Sequence, residues 1–210
     1  MQASEHHAKK KTLRYSEQDS EKVIEATKVF LKEIEGVAPE DLVFGDQMGC
    51  NRAMTPTHGR AESGQRVEDA VPGNRGKNIS TMGVLGFWGM LATTTTEGSF
   101  NADLVYEFIE LHVVGKMRPG QVLVLDNARI HKKRELEMRL LLARKGCRLV
   151  FLPPYSPEWN PIENAWSKMK AIIRKLKARL QDTLLMAIEM AALEVTPGNA
   201  QGWFRLCGHV

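Results

Sequence analysis

The chain predicts an α/β domain, and three observations carry that prediction. Short apolar runs at 42–44, 79–95, 122–125 and 148–152 have strand character. Stripes with helical spacing lie between and after them, and two of the runs close on an aspartate. A strand, a charged helix and a second strand between Val122 and Leu152 read as a parallel crossover unit, which requires a sheet covered by helices.

Taken in order, residues 1–20 are polar, centred on Lys9, Lys10 and Lys11, and read as a tail. Val23, Ile24, Val29, Phe30, Leu31 and Ile34 form a loosely helical stripe that Gly36 and Pro39 stop. The buried strand Leu42–Val43–Phe44 closes at Gly45 and Asp46, and a Gly- and Arg-rich excursion runs from Asn51 to Asn78. Residues 79–95 supply two strands, with Gly83, Gly86 and Gly89 as bends or turns. Asn101 caps a helix whose stripe is Leu104, Val105, Phe108, Ile109 and His112.

The strand Val122–Leu125 ends at Asp126, a charged helix spans about 132–145 with Gly146 after it, and 148–152 repeats the strand pattern. A rigid Pro-rich turn, 153–157, leads to Pro161 in the first turn of a helix. The apolar face of that helix is Ile162, Ala165, Trp166, Met169, Ile172, Ile173 and Leu176. A further helix covers about 183–194, with a short one after it.

Composition narrows the function. At 43% apolar and 26% charged residues the chain has the makings of an ordinary buried core. No apolar run approaches the roughly 20 residues of a membrane span, and the first residues lack the apolar core of a signal peptide. Cys50, Cys147 and Cys207 lie too far apart for a zinc or disulfide framework and read as reduced thiols of an intracellular protein. The net charge of +4 is unevenly spread: residues 129–148 hold eight basic and two acidic side chains, and 160–180 hold six and one. Such clustering suits a phosphate-binding surface, and equally a solvated helix face.

The chemistry rests on Asp46, Asp126 and Glu163. Singly, Asp46 reads as a turn residue before Gly49, Asp126–Asn127 as a turn or helix cap, and Glu163 as a partner of the helix macrodipole. Together they place carboxylates at two strand ends and one helix start, which an open parallel sheet gathers into one crevice. Carboxylates taken from water there need a cation or several hydrogen-bond donors, and hard divalent ions that prefer oxygen ligands suit them.

The segments VLVLDNARIHK (122–132) and LPPYSPEWNPIENAWSKMK (152–170) resemble the second and third catalytic motifs of the mariner superfamily of Asp-Asp-Glu transposases. QRV (65–67) and PGNRGKN (72–78) look like the bacterial insertion-sequence branch of that superfamily. The resemblance covers about residues 40–180 and implies a ribonuclease-H-like fold with a central mixed five-stranded sheet flanked by helices. Residues 1–40 would then be tail and linker helix, 41–180 the catalytic domain and 181–210 a helical extension. With 36 residues between Asp126 and Glu163, the spacing matches the family pattern. Gln47 departs from it, since relatives often carry a second acidic residue there.

The resemblance further implies catalysis by two Mg²⁺ or Mn²⁺ ions about 4 Å apart, held by Asp46, Asp126 and Glu163. These would cut double-stranded DNA at transposon ends and join the freed 3′ end to target DNA. A homodimer on DNA is expected, in the cytoplasm at a bacterial nucleoid. Because 45 residues precede Asp46, recognition of the ends is expected from a separate helix-turn-helix polypeptide or an upstream reading frame. Lys168, Lys170 and Arg174 on the Glu163 helix, Arg75 and Lys77 in the excursion, and Asn127 and His131 of the second motif are the candidate DNA contacts. Asn127 and His131 have orienting Asp126 as their other reading, and Trp166 is expected in the core. Two alternatives are a transposase fragment that binds DNA or a partner without catalysis, and a ribonuclease-H-like nuclease of repair or RNA processing.

Overall fold

The computed structural model describes residues 16–210; the Lys9–Lys11 segment lies outside the described residues. Helix α1 (Glu21–Ile34) leads into strand β1 (Leu42–Cys50). Strands β2 (Ile79–Gly86) and β3 (Gly89–Glu97) form a hairpin, and helix α2 (Ala102–Phe108) widens into a π turn at Ile109–Val113. Strand β4 (Val122–Leu125) is followed by α3 (Arg129–Lys132), α4 (Glu135–Arg144) and strand β5 (Arg148–Phe151). The chain then forms α5 (Pro161–Leu176), α6 (Gln181–Leu193) and α7 (Pro197–Leu206).

The five strands form one mixed sheet in the order β3-β2-β1-β4-β5. Strand β2 is antiparallel to both β1 and β3, whereas β1 and β4, like β4 and β5, run parallel. Alternation along the strands divides the core between two faces. Leu42, Phe44, Met48 and Cys50 join Val122, Val124, Trp166 and Ile173 on one side. Val43, Leu123, Leu125 and Leu149 join Val105, Phe108, Met138 and Leu142 on the other. Helices α5, α6 and α7 therefore cover one face, and α2 and α4 the other.

Local signals account for most boundaries. The Asn101 side chain accepts from the amides of Asp103 at 3.0 Å and Leu104 at 2.9 Å, which satisfies two orphan donors of α2. Gly146, at φ +74°, ends α4 in the left-handed region open to glycine. Five expectations need correction. Strand β1 runs on to Cys50, so Asp46 lies within it rather than at its end, paired across β2 with Gly83. Gly83 is accordingly a strand residue, and the turn sits at Gly86–Gly89. The charged helix starts earlier than expected and breaks between Lys132 and Glu135, which turns His131 into the core. In α5, Leu176 leaves the apolar stripe at 47% exposure, because the helix ends there in the left-handed Lys177, φ 48°. Of the α1 stripe only Val23 and Phe30 are buried, since only one narrow face meets the domain.

Candidate active site

Strand register brings the two aspartates together. Gly45 pairs with Leu125 in the parallel ladder, so Asp46 and Asp126 follow side by side where β4 stops. Period-two alternation puts Asp46 on the face of Phe44 and Met48, which is the face α5 covers. Glu163 stands in the first turn of α5, behind Pro161 at the helix start. All three carboxylates line one cavity of about 390 Å³, walled by Asn127, Ala128, residues 153–157 and Asn160.

The three acids differ in environment. Asp46 is 9% exposed, and its carboxylate accepts from the indole Nε1 of Trp166 at 3.1 Å. Burial, aided by the charges of Glu163 and Asp126, pushes its pKa from the ordinary 3.8 up to about 7. Hydrogen bonds from the Gln47 amide and the Trp166 indole oppose that rise without cancelling it. Burial also raises Glu163, with Lys170 opposing and Asp126 adding to the effect. Asp126 goes the other way: burial alone would raise it, but His131 and the Ala128 amide outweigh burial and hold it below the usual carboxylate range.

His131 is 1% exposed, and its Nδ1 meets the Asp126 carboxylate. A carboxylate only accepts, so Nδ1 carries the proton, and Nε2 in turn accepts from the Gln47 side-chain amide, 3.1 Å away. The Ala128 amide donates to the same Asp126 oxygen at 3.1 Å. Both ring nitrogens of His131 are thus engaged inside the domain. Its candidacy as a DNA contact is withdrawn in favour of holding Asp126. The departure at Gln47 also has a reason, since an uncharged amide there supports the ring from its far side.

Among the described residues, neither Asp46 nor Glu163 forms an ion pair with a basic side chain. Three oxygen-only acids around one cavity, one of them buried and raised towards neutrality, are the donor set that a hard divalent cation fits. The arrangement is a crevice rather than a closed cage. Among the described residues no three His, Cys, Asp or Glu side chains stand at metal-holding spacing.

The basic candidates separate. Asn127 lines the cavity. Lys170 acts on Glu163, which puts its charge near the crevice, and Lys170 and Arg174 both act on the buried Cys50 thiol at the end of β1. Lys168 is spent internally. Its ammonium donates to the Glu194 carbonyl and to Asn199 Oδ1 at 2.6 Å, fastening α5 to the start of α7, and so it leaves the set of phosphate contacts. Arg75 is exposed in the 51–78 excursion, and the exposed Lys77 pairs with Glu97 at 2.7 Å. That excursion is tied to the end of α5: Arg179 donates to the carbonyls of Arg52 at 2.8 Å and Met54 at 3.0 Å, and Lys177 pairs with Asp69 at 2.6 Å.

Trp166, expected in the core and found there, and Gln47, noted only as a departure from the family pattern, are the site residues to which sequence reasoning gave no role. The one available signal for Trp166 was its spacing, one helical turn beyond Glu163 on the same helix. Tyr155 adds a third, standing in the cavity wall with φ 57°, a conformation that non-glycine residues rarely adopt.

A mixed five-stranded sheet flanked by helices, with one carboxylate inside β1, one at the end of the parallel β4 and one on α5, has the ribonuclease-H-like arrangement. Residues 41–185 match the DDE superfamily endonuclease family, and the chain belongs to it. Among solved structures it is similar to a Mos1 transposase paired-end complex with the left transposon end, at 14% identity and a TM-score of 0.74, covering 100% of this chain and 65% of that one. It is also similar to the mariner Mos1 paired-end complex with Mg, at 14% identity and a TM-score of 0.69, covering 98% and 63%. The crystal structure of the Mos1 mariner catalytic domain aligns at 13% identity and a TM-score of 0.64, covering 93% and 91%. The chain thus spans just under two thirds of the full transposase chains and nearly all of the isolated catalytic domain. No curated protein matches the sequence. Among the described residues no helix is long and apolar enough to cross a membrane.

Proposed function

We propose that this chain is the catalytic domain of a DNA transposase of the bacterial insertion-sequence branch of the mariner superfamily. It cleaves transposon ends and transfers the strand to target DNA at the nucleoid. The observation that carries this reading is the convergence of Asp46, Asp126 and Glu163, from β1, the end of β4 and the start of α5, on one cavity within a matched endonuclease family. Asp46, Asp126 and Glu163 would hold Mg²⁺ or Mn²⁺, and an ion bound there would supply the Lewis acidity that an in-line displacement at phosphorus needs, for the attacking water or DNA 3′-hydroxyl and for the leaving oxygen.

The protein's own residues prepare that chemistry. Asp126, kept ionised by His131 and the Ala128 amide, offers a carboxylate already charged at neutral pH. Asp46 and Glu163 are raised by burial and by the neighbouring carboxylates, so a cation bound among them would favour their ionised forms. Lys170 and Arg174 receive phosphates beside the cavity, Asn127 guides the strand in the crevice, and Arg75 and Lys77 extend the basic surface along the excursion. Binding of paired DNA ends by a homodimer completes the reading.

Purified protein with Mn²⁺ is expected to nick or join double-stranded DNA, and Asp126→Asn to abolish this without altering thermal unfolding. Activity retained in that variant, or preference for RNA–DNA hybrid over DNA duplex, overturns the proposal.

A further inference from the structure

Trp166 is almost wholly buried, at 1% exposure, and would pass for core on that ground alone. Its polar atom says more. A buried indole N–H needs an acceptor, and this one donates to Oδ2 of Asp46 at 3.1 Å, across 120 residues of sequence. The approach depends on a missing side chain. Gly83 pairs directly with Asp46 across β1 and β2, and a Cβ at position 83 would lie 2.5 Å from Trp166 Cη2 and 3.3 Å from Cζ2. The far side of that space is closed as well, since the same Cβ would lie 2.9 Å from Met90 Cε. A glycine inside a strand weakens it, so its presence here marks the close approach of the ring.

The geometry points to Trp166 as a positioning residue: its indole, admitted by the bare backbone of Gly83, holds the Asp46 carboxylate in the orientation that receives the divalent cation. This rests on the cation-binding reading of the three carboxylates. Trp166 lies one turn after Glu163 on α5, so one rigid helix sets both Glu163 and, through the indole, Asp46. A shift of α5 would move two of the three oxygen donors together. Asp126 is set independently, by His131.

The test uses Mn²⁺ as the probe, with binding followed by electron paramagnetic resonance of free Mn²⁺, alongside thermal unfolding and DNA nicking. Trp166→Phe keeps an aromatic ring and removes the donor. Gly83→Ala keeps the donor and displaces it. Both are expected to weaken Mn²⁺ binding, Trp166→Phe by about 10- to 100-fold, as loss of a hydrogen bond behind a metal ligand does. Excess Mn²⁺ is expected to restore nicking in both, but not in Asp46→Asn. If Trp166→Phe does not fold, Gly83→Ala decides by the same reading. Wild-type binding that is lost in Asp46→Asn but unchanged in Trp166→Phe and Gly83→Ala overturns the positioning role and leaves the cation site standing. No Mn²⁺ binding by the wild type, or binding that survives Asp46→Asn, overturns the cation site and this inference with it.

Discussion

Asp46 and Asp126 stand on neighbouring parallel strands, each one step beyond the Gly45–Leu125 pair, yet their surroundings push them in opposite directions. Asp46 sits inside a strand that continues to Cys50, under α5, with burial as its dominant influence and a pKa raised to about 7. Asp126 begins a loop where β4 has ended, and His131 together with the Ala128 amide keeps it below the usual range. The two environments differ in sign: on the proposed cation-binding reading, Asp126 would be the standing anion and Asp46 the group whose ionisation a cation completes.

The sharpest way to break this comparison is to remove each charge. Asp46→Asn and Asp126→Asn are each expected to lower Mn²⁺-dependent DNA cleavage by roughly 10³-fold or more, since ligands acting as a unit fail as a unit. A residual rate in one variant far above that in the other, in single-turnover cleavage, would show that one aspartate is dispensable. Next comes the support behind Asp126. His131→Ala is expected to cost about 10- to 100-fold in cleavage rate. It is also expected to lower stability by about 1–3 kcal/mol, because the Gln47 amide loses its buried partner. Denaturant unfolding and cleavage kinetics on the same preparation check both.

The pH dependence of metal-free stability separates the two aspartates directly. Because the folded pKa of Asp46 lies above its ordinary 3.8, the folded state holds its proton to about pH 7 while the unfolded chain releases it near 4. Asp46 therefore makes stability fall as pH rises through that window, by about 1.4 kcal/mol per unit at most. Asp126, lowered in the folded state, contributes stability that is present above its unfolded pKa and lost as pH falls through the folded one. Urea unfolding between pH 4.5 and 8 is expected to show the Asp46 slope, and Asp46→Asn to flatten it. A slope unchanged by that substitution would mean Asp46 is ionised throughout. The smallest effects belong to the basic residues of α5. Lys168→Ala is expected to lower stability by about 1 kcal/mol and leave the salt dependence of DNA binding alone. Lys170→Ala and Arg174→Ala are each expected to reduce the salt slope by about 1.

Much of this was readable in advance, for identifiable reasons. The β4–β5 crossover unit, the Asn101 cap, Pro161 at the start of α5 and, Leu176 apart, the α5 stripe follow from local pattern, and each appears where that pattern put it. Motif spacing likewise put Asp126 and Glu163 at a strand end and a helix start. Less was readable for Asp46, because Gln47, Met48, Gly49 and Cys50 look like a turn and behave as strand once β2 pairs with them. His131 read equally as a DNA contact or as a support for Asp126, and only its burial in the fold separated the two. Lys168 looked like its neighbours Lys170 and Arg174, and only the packing of α7 against α5 gave it acceptors.

Residue type and spacing by themselves determined most elements and the α/β class, because hydrophobic period, capping and chain breaking act over a few neighbouring residues; the resemblance to the transposase motifs supplied the sheet type and singled out the three candidate acids. The tertiary structure alone decided how each acid is held: Trp166 against Asp46 through the gap at Gly83, and Gln47 behind His131 against Asp126. Those contacts join residues up to 120 positions apart. Burial and hydrogen bonding at such distances depend on strand register and helix packing, and no local pattern along the chain encodes them.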